Sequence, residues 1–342
     1  MAREALAVKY RPHTWEDVVE QDSTKIILKQ QLETNEFQHA YLFVGGAGTG
    51  KTTCARIFAN EINQNSGAYI ELDAASNSGV ENVRNIIQQA KTASLDSEYK
   101  LFIIDECHSL SDTAWQAFLK LIEEPPAKSI FIFCTTNPEK IPKTIISRVQ
   151  RYDYKRISQQ GIVDRLSYII TQEYEIMNEG YWEALEYIAK LADGGLRDAI
   201  TMLDKCLSYN SNLSMENIVK ALGVVDYDVM RSLTNAIMVK DYKGIIEVIE
   251  EVHMSGKDLK QFIRQYMNFV VDIAKYNIIP TFDYIQIPNI ETNQNFLNKI
   301  TKVYGSSINE LLELVIKLNS EIKYDSSPKY LIEAMLIGGD EQ

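Results

Sequence analysis

The sequence predicts an α/β nucleotide-binding domain, a parallel sheet with flanking helices, followed by a small helical domain and a longer helical region. Three observations lead there. Strand-like apolar runs at 41–44, 69–72, 101–104 and 130–134 alternate with helical stretches at 23–33, 79–92 and 112–123, the order of a parallel sheet flanked by helices. Gly45-Gly46-Ala47-Gly48-Thr49-Gly50-Lys51-Thr52 matches G-x-x-x-x-G-K-[ST] at every fixed position, between the buried-type run Tyr41-Leu42-Phe43-Val44 and a run from Thr53 to Ala59 with helical apolar spacing. After Arg156 the strand signals stop. The expected layout is therefore 1–157 for the nucleotide domain, 158–224 for short helices with a turn at Asp193-Gly194-Gly195, and 225–342 for longer amphipathic helices broken around 277–280 and 287–288.

Composition bounds the rest. With 342 residues, 45% hydrophobic and 24% charged, the chain suits two or three globular domains. No run of about 18 apolar residues occurs, and Met1-Ala2-Arg3-Glu4-Ala5 does not open a signal peptide, so a cytoplasmic chain with no membrane partner is expected. The four cysteines, Cys54, Cys107, Cys134 and Cys206, lie far apart without a C-x-x-C pair and read as small buried fillers. A formal net charge of −12 argues against indiscriminate coating of nucleic acid, which needs Lys and Arg to displace counterions, but leaves room for a local basic face.

The P-loop predicts a nucleoside triphosphate site with magnesium. Its glycines let backbone N–H groups and a helix N-terminus face phosphates, Lys51 supplies a point charge, and the Thr52 hydroxyl ligates Mg²⁺. The strand at 100–104 then delivers Asp105-Glu106 to the mouth of such a site: Asp105 to contact the metal, Glu106 to orient or deprotonate the attacking water. His108 is read as a structural side chain. At the end of the strand at 129–134, Thr136, with Asn137 in reserve, can sense the γ-phosphate or position the water. Twelve residues on, Ser147-Arg148 offers an arginine that, at a subunit edge, can reach a neighbour's triphosphate, an effect worth about 10³–10⁵ in rate for such fingers. Read by themselves, Thr136 is as well a cap or turn residue and Arg148 a surface cation in a salt bridge.

Set in order, the motifs carry a family resemblance. Lys9-Tyr10-Arg11-Pro12, Trp15-Glu16-Asp17-Val18-Val19, the P-loop, Asp73-Ala74-Ala75-Ser76-Asn77, Asp105-Glu106-Cys107-His108, Leu121-Ile122-Glu123-Glu124-Pro125-Pro126, Thr135 to Arg148, and Gly194-Gly195-Leu196-Arg197-Asp198-Ala199 span about residues 5–205. Together they resemble the gamma/tau family of bacterial DNA polymerase III, the ATPases of the sliding-clamp loader and members of the AAA+ class. The Glu-Glu-Pro-Pro and Lys-Tyr-Arg-Pro elements favour it over the replication factor C relatives, which share the Ser-Arg finger.

The resemblance implies an AAA+ domain, a helical lid and an all-helical collar. It implies that Tyr10, Arg11, Pro12, Val18 and Val19 cup adenine and sugar, with Leu196 closing from the lid, and that Gly45, Gly46, Ala47, Gly48, Thr49, Gly50, Lys51, Thr52 and Thr53 hold the phosphates. Arg197 matches the sensor that reports the γ-phosphate to the lid. Arg84 matches a position facing template phosphates. Implied partners are delta-like and delta-prime-like subunits and further copies of the chain in a pentamer, a sliding clamp, and primer–template DNA. Residues 60–67 pass directly across the interval where family members carry a four-cysteine zinc module, so no zinc is expected. Val149 replaces the usual Cys after Ser-Arg, and Asn77 and Gly79 stand where basic residues are common. The chain stops near the end of the collar, so the long tail of tau forms is expected to be absent. The alternatives are an ATP-binding scaffold without turnover, against which Lys51, Thr52, Asp105, Glu106 and Arg148 all stand, and a DNA motor, which needs pore-loop residues or a second core.

Overall fold

The alternating apolar blocks become a five-stranded sheet in the computed structural model, which describes residues 4–64, 69–77, 79–92, 98–173, 181–222, 227–287 and 291–338. Its strands are β1 (Ala40–Gly45), β2 (Tyr69–Asp73), β3 (Lys100–Asp105), β4 (Ser129–Thr135) and β5 (Gln150–Tyr154), all parallel in the order β2-β3-β4-β1-β5. The three central strands are apolar along nearly their whole length because both faces are covered. Leu42, Phe102, Ile104, Phe131 and Phe133 pack to one side, with Trp115 and Phe118; Tyr41, Phe43, Ile103, Ile130 and Ile132 pack to the other, with Phe58 and Leu28. Alternation along each strand sorts neighbours to opposite faces.

Strand β5 lies outside the four expected strands. Only Tyr152 and Tyr154 of Gln150-Arg151-Tyr152-Asp153-Tyr154 are buried, so its apolar signal is two side chains at period two in a polar edge strand. It pairs with β1, Leu42 opposite Arg151, and carries the chain from the sheet toward the helices that follow.

The helices of this unit are α1 (Leu6–Lys9), α2 (Asp22–Thr34), α3 (Lys51–Ile62), α4 (Val80–Lys91), α5 (Asp112–Glu123) and α6 (Lys143–Ile146), then α7 (Gln159–Glu173), α8 (Tyr181–Leu191) and α9 (Leu196–Tyr209). Helix α5 starts where Ser111 caps it, its hydroxyl accepting from the Ala114 N–H, and its apolar stripe Trp115, Phe118, Leu121, Ile122 faces the sheet. Helices α7 to α9 pack on one another.

By its contacts the chain divides into two compact units, Met1–Ser214 and Met215–Gln342. The second contains α10 (Met215–Leu222), α11 (Tyr227–Met238), α12 (Tyr242–Met254), α13 (Leu259–Ile278), α14 (Glu291–Tyr304), α15 (Ile308–Glu321) and α16 (Pro328–Ile337). The 20-residue α13 runs through its core, presenting Phe262, Ile263, Tyr266, Phe269, Val270 and Ile273. Tyr266 shares a hydrogen bond with Thr234 at 3.0 Å, and Asp272, 4% exposed, accepts from the backbone N–H groups of Gln286 (2.6 Å) and Ile287 (3.2 Å). These polar groups are spent on joining helices.

All four cysteines are free and buried, and among the described residues no helix is long and apolar enough to cross a membrane.

Candidate P-loop site

The strand order decides where the chemistry sits. With β4 between β1 and β3, the loops leaving the C-terminal ends of all three converge on one edge of the sheet, where open parallel sheets form their crevices. The loop after β1 is the P-loop, and α3 begins at Lys51. Gly48 has φ +70° and lies against the second glycine pair: a Cβ on it would meet the Gly195 Cα at 3.1 Å and the Arg197 nitrogen at 3.2 Å. The Leu196 N–H donates to the Gly48 carbonyl at 3.1 Å, so the P-loop and the start of α9 are joined backbone to backbone.

Lys51 is only 5% exposed, and its Nζ donates to the carbonyls of Gly45 (2.9 Å) and Gly46 (2.7 Å). Burial lowers its pKa; Glu106 and Asp105 nearby pull it back up. Across the floor, Thr52 Oγ1 donates to Asp105 Oδ2 at 2.9 Å, and the Glu106 N–H donates to Asp105 Oδ1 at 3.0 Å. Burial raises the Asp105 carboxyl above its ordinary range. Glu106 has φ +45°, a conformation costing a non-glycine residue about 1–3 kcal/mol. Its Oε2 accepts from Thr136 Oγ1 at 3.0 Å and lies 3.2 Å from His108 Nδ1. His108 also meets Thr135 Oγ1 at 3.1 Å.

The cavity is lined by Ala47 to Thr53, Asp105 and Glu106, by Tyr10, Arg11, Pro12, Val18 and Val19 from the N-terminal segment, and by Leu196 and Arg197 from α9. Ala7, Ile157, Asp198 and Ile200, which no motif singled out, complete the wall. Gly45 and Gly46 stand behind it, holding Lys51. Burial lowers the Arg11 guanidinium pKa, and the cations Arg56 and Arg197 lower it further, only partly offset by Glu71 and Asp105. In a chain of net charge −12, this concentration of cations favours a polyanion.

Arg148 and Arg84 are not part of this cavity. Arg148 sits after α6 with 41% of its side chain exposed; its Nη2 pairs with Glu123 Oε1 at 3.0 Å, and its Nη1 donates to the Thr144 carbonyl at 2.9 Å and Ser147 Oγ at 3.1 Å. Arg84 is exposed on α4; Ser78, just before that helix, lies outside the described residues.

Comparison with known proteins now bears on this site. The family model described as DNA polymerase III, delta subunit matches residues 63–158, and the one described as DNA polymerase III subunits gamma and tau domain III matches 213–338. The gamma subunit of Buchnera aphidicola subsp. Baizongia pistaciae is 31% identical over 87% of this chain and 85% of its own. The chain belongs to the DNA polymerase III gamma/tau family. The tau subunit of Bacillus subtilis is 34% identical over 98% of this gamma/tau chain, which spans 63% of that relative's length, and the chain spans 46% of the Escherichia coli tau subunit. Among solved structures, the Thermotoga maritima RuvB Holliday junction branch migration motor superposes with a TM-score of 0.53 over 68% of this chain and 80% of its own, at 18% identity, which shows a shared fold.

Two side chains with a place in this gamma/tau site, Gln21 and Glu173, escaped the motifs, and a third, His108, was quoted in one without a site role. Gln21, φ +58° and 9% exposed, gives Nε2 to the carbonyls of Lys155 (2.8 Å) and Thr49 (3.4 Å) while its Oε1 accepts from the Lys155 N–H (3.1 Å), tying the P-loop to the end of β5. His108, read as structural, lies against Glu106. Glu173, at the end of α7, accepts from Tyr10. A glutamine before a helix and a glutamate ending one are common on any surface, and only the fold gives them partners.

Proposed function

We propose that this chain is an ATPase subunit of a sliding-clamp loader, using ATP binding and hydrolysis to open and load a clamp on primer–template DNA. The observation that carries the reading is one cavity uniting the P-loop, the Asp105–Thr52 pair and the lid-borne Arg197. The Thr52 hydroxyl and Asp105 carboxylate, meeting at 2.9 Å, are hard oxygen donors of the kind Mg²⁺ takes beside phosphates and water. Bound there, magnesium would neutralise charge on the β- and γ-phosphates.

The chain's own residues divide the remaining work. Backbone N–H groups from Gly48 to Thr52 face the phosphates at the start of α3, and Lys51 exchanges the Gly45 and Gly46 carbonyls for phosphate oxygens. Glu106 accepts the proton of the attacking water, held in place by Thr136 and His108. Val18 and Val19 meet the base from the sheet side, Leu196 from the lid, and Arg197 reports the γ-phosphate to α9. Arg148, outside its own cavity, serves the site of the next subunit in a pentamer with delta-like subunits and further copies of this chain. Arg84 faces template phosphates. In this reading 158–224 serves as the lid and 225–342 as the collar, with α10 (Met215–Leu222), which groups by its contacts with the second unit, at the junction.

The test is ATP hydrolysis by the purified chain with clamp, partner subunits and primed DNA. Turnover stimulated by primed DNA and abolished by Lys51→Ala is expected. Unstimulated turnover, or failure of any clamp or loader subunit to co-purify with ATP present, sinks the assignment.

A further inference from the structure

The base end of the cavity is walled by a segment that hydrogen-bonds to the lid helices α7 and α9. Leu6 is fully buried and its N–H donates to Asp204 Oδ2 on α9 at 3.0 Å, where α1 packs. Lys9 Nζ and Tyr10 OH both donate to Glu173 Oε1 at the end of α7, the latter at 2.6 Å. Arg165 of α7 donates through Nη2 to the Tyr10 carbonyl at 3.1 Å and stacks on Tyr168, whose ring meets that of Tyr10 edge-on. Burial and the bond to Glu173 push the Tyr10 hydroxyl up to about 12, so it stays a donor at any physiological pH.

Five residues after Tyr10 the first attachments to the core appear, before the chain touches the start of α7 again at Val19, which lies against Gly161, and at Glu20, which accepts from the Ser158 N–H at 3.2 Å. Trp15 is 2% exposed in the sheet-side core and its Nε1 donates to Glu61 Oε2 on α3 at 2.8 Å; Val18 packs in the same core, and Lys25 Nζ of α2 donates to its carbonyl. Between them Arg11 and Pro12 cross the cavity mouth. The chain thus leaves the lid at Tyr10 and enters the α/β core at Trp15.

We infer that residues 6–10 are mechanically part of the lid, and that Glu173 is a positioning residue for nucleotide binding: it fixes the Ala7–Tyr10 wall to α7, so that lid-borne side chains approach the base from two sides against core-borne Val18. Movement of the lid then opens or closes the base site as a whole. This rests on the reading of the cavity as a nucleotide site.

The test uses the full chain with Glu173→Ala, Glu173→Gln and Tyr10→Phe, equilibrium binding of ATP and ADP, steady-state KM and kcat, and amide hydrogen exchange. Loss of the charge-assisted bond in Glu173→Ala is expected to raise the ATP Kd and KM about tenfold with kcat changed less than about twofold. Tyr10→Phe, which keeps the ring, should raise both about fivefold, and Glu173→Gln, which keeps an acceptor, should recover most of the affinity. In Glu173→Ala the amides of 6–10 should lose protection while those of 15–18 keep it. Unchanged ATP affinity in both Glu173→Ala and Tyr10→Phe overturns the inference, as does joint loss of protection at 6–10 and 15–18. Should Glu173→Ala melt, Tyr10→Phe carries the binding test alone. If the unaltered chain binds no nucleotide, the reading of the cavity falls, and the exchange pattern still decides whether 6–10 belong to the lid.

Discussion

Asp105 in the first unit and Asp272 in the second are both buried carboxylates, and burial pushes both above the ordinary range. Their surroundings differ. Asp272 is closed in by protein, taking two backbone N–H groups from the turn after α13, with Lys275 Nζ 3.6 Å away. Asp105 accepts from a hydroxyl and one backbone N–H and faces a cavity that Lys51, Arg11 and Arg197 make electropositive. A shifted pKa therefore identifies a site only when the group opens onto space with complementary donors; otherwise it records the cost of stitching helices together.

Four experiments can break or sharpen this comparison, taken from the largest expected effect. Arg148→Ala in the assembled loader should lower stimulated turnover by about 10³-fold or more while nucleotide binding stays intact; unchanged turnover removes the trans finger from the mechanism. Asp105→Asn should lower magnesium-dependent turnover by about 10²–10³-fold with little change in melting temperature, and a large loss of stability instead would make Asp105 another Asp272. Asp272→Ala should do the opposite: leaving two N–H groups without their acceptor costs about 2–4 kcal/mol in denaturant unfolding of the second unit, with ATP affinity unchanged. The smallest effect is on pH dependence. Because the folded pKa of Asp272 lies above its ordinary 3.8, the native state holds the proton longer than the unfolded chain, so this group's contribution to stability falls as pH rises from near 3.8 through the raised value. Asp272→Asn should flatten that fall, and an unaltered profile would mean the carboxylate is well solvated after all.

The P-loop end of the candidate site was legible in the chain because the chemistry it suggests needs fixed residue types at fixed spacing: glycines where backbone approaches backbone, Lys51 at the helix start, and two carboxylates closing a strand. The cavity wall from the N-terminal segment, Tyr10 to Val19, was singled out only through the family resemblance, since apolar walls place no demand on spacing. Ala7 and Ile200 line the cavity without any local signal. Edge strand β5 escaped because its polar face hides two tyrosines, and Gln21 because a buried amide bridging 134 residues of sequence is a property of the fold. Glu123, quoted only as part of Glu-Glu-Pro-Pro, turns out to hold Arg148. An exposed pair of this kind is worth about 0–1 kcal/mol, weak enough for a neighbour's phosphate to displace.

The hydrogen bond from Leu196 to the Gly48 carbonyl, with glycine on both sides of the contact, also supplies a built-in gauge. One amide proton, on the first residue of α9, is held by the P-loop, so its isotope exchange reports the free energy of parting the P-loop from the Gly194-Gly195 turn. Measured with and without nucleotide, that single resonance would weigh how strongly the ligand holds the two together without any label being attached.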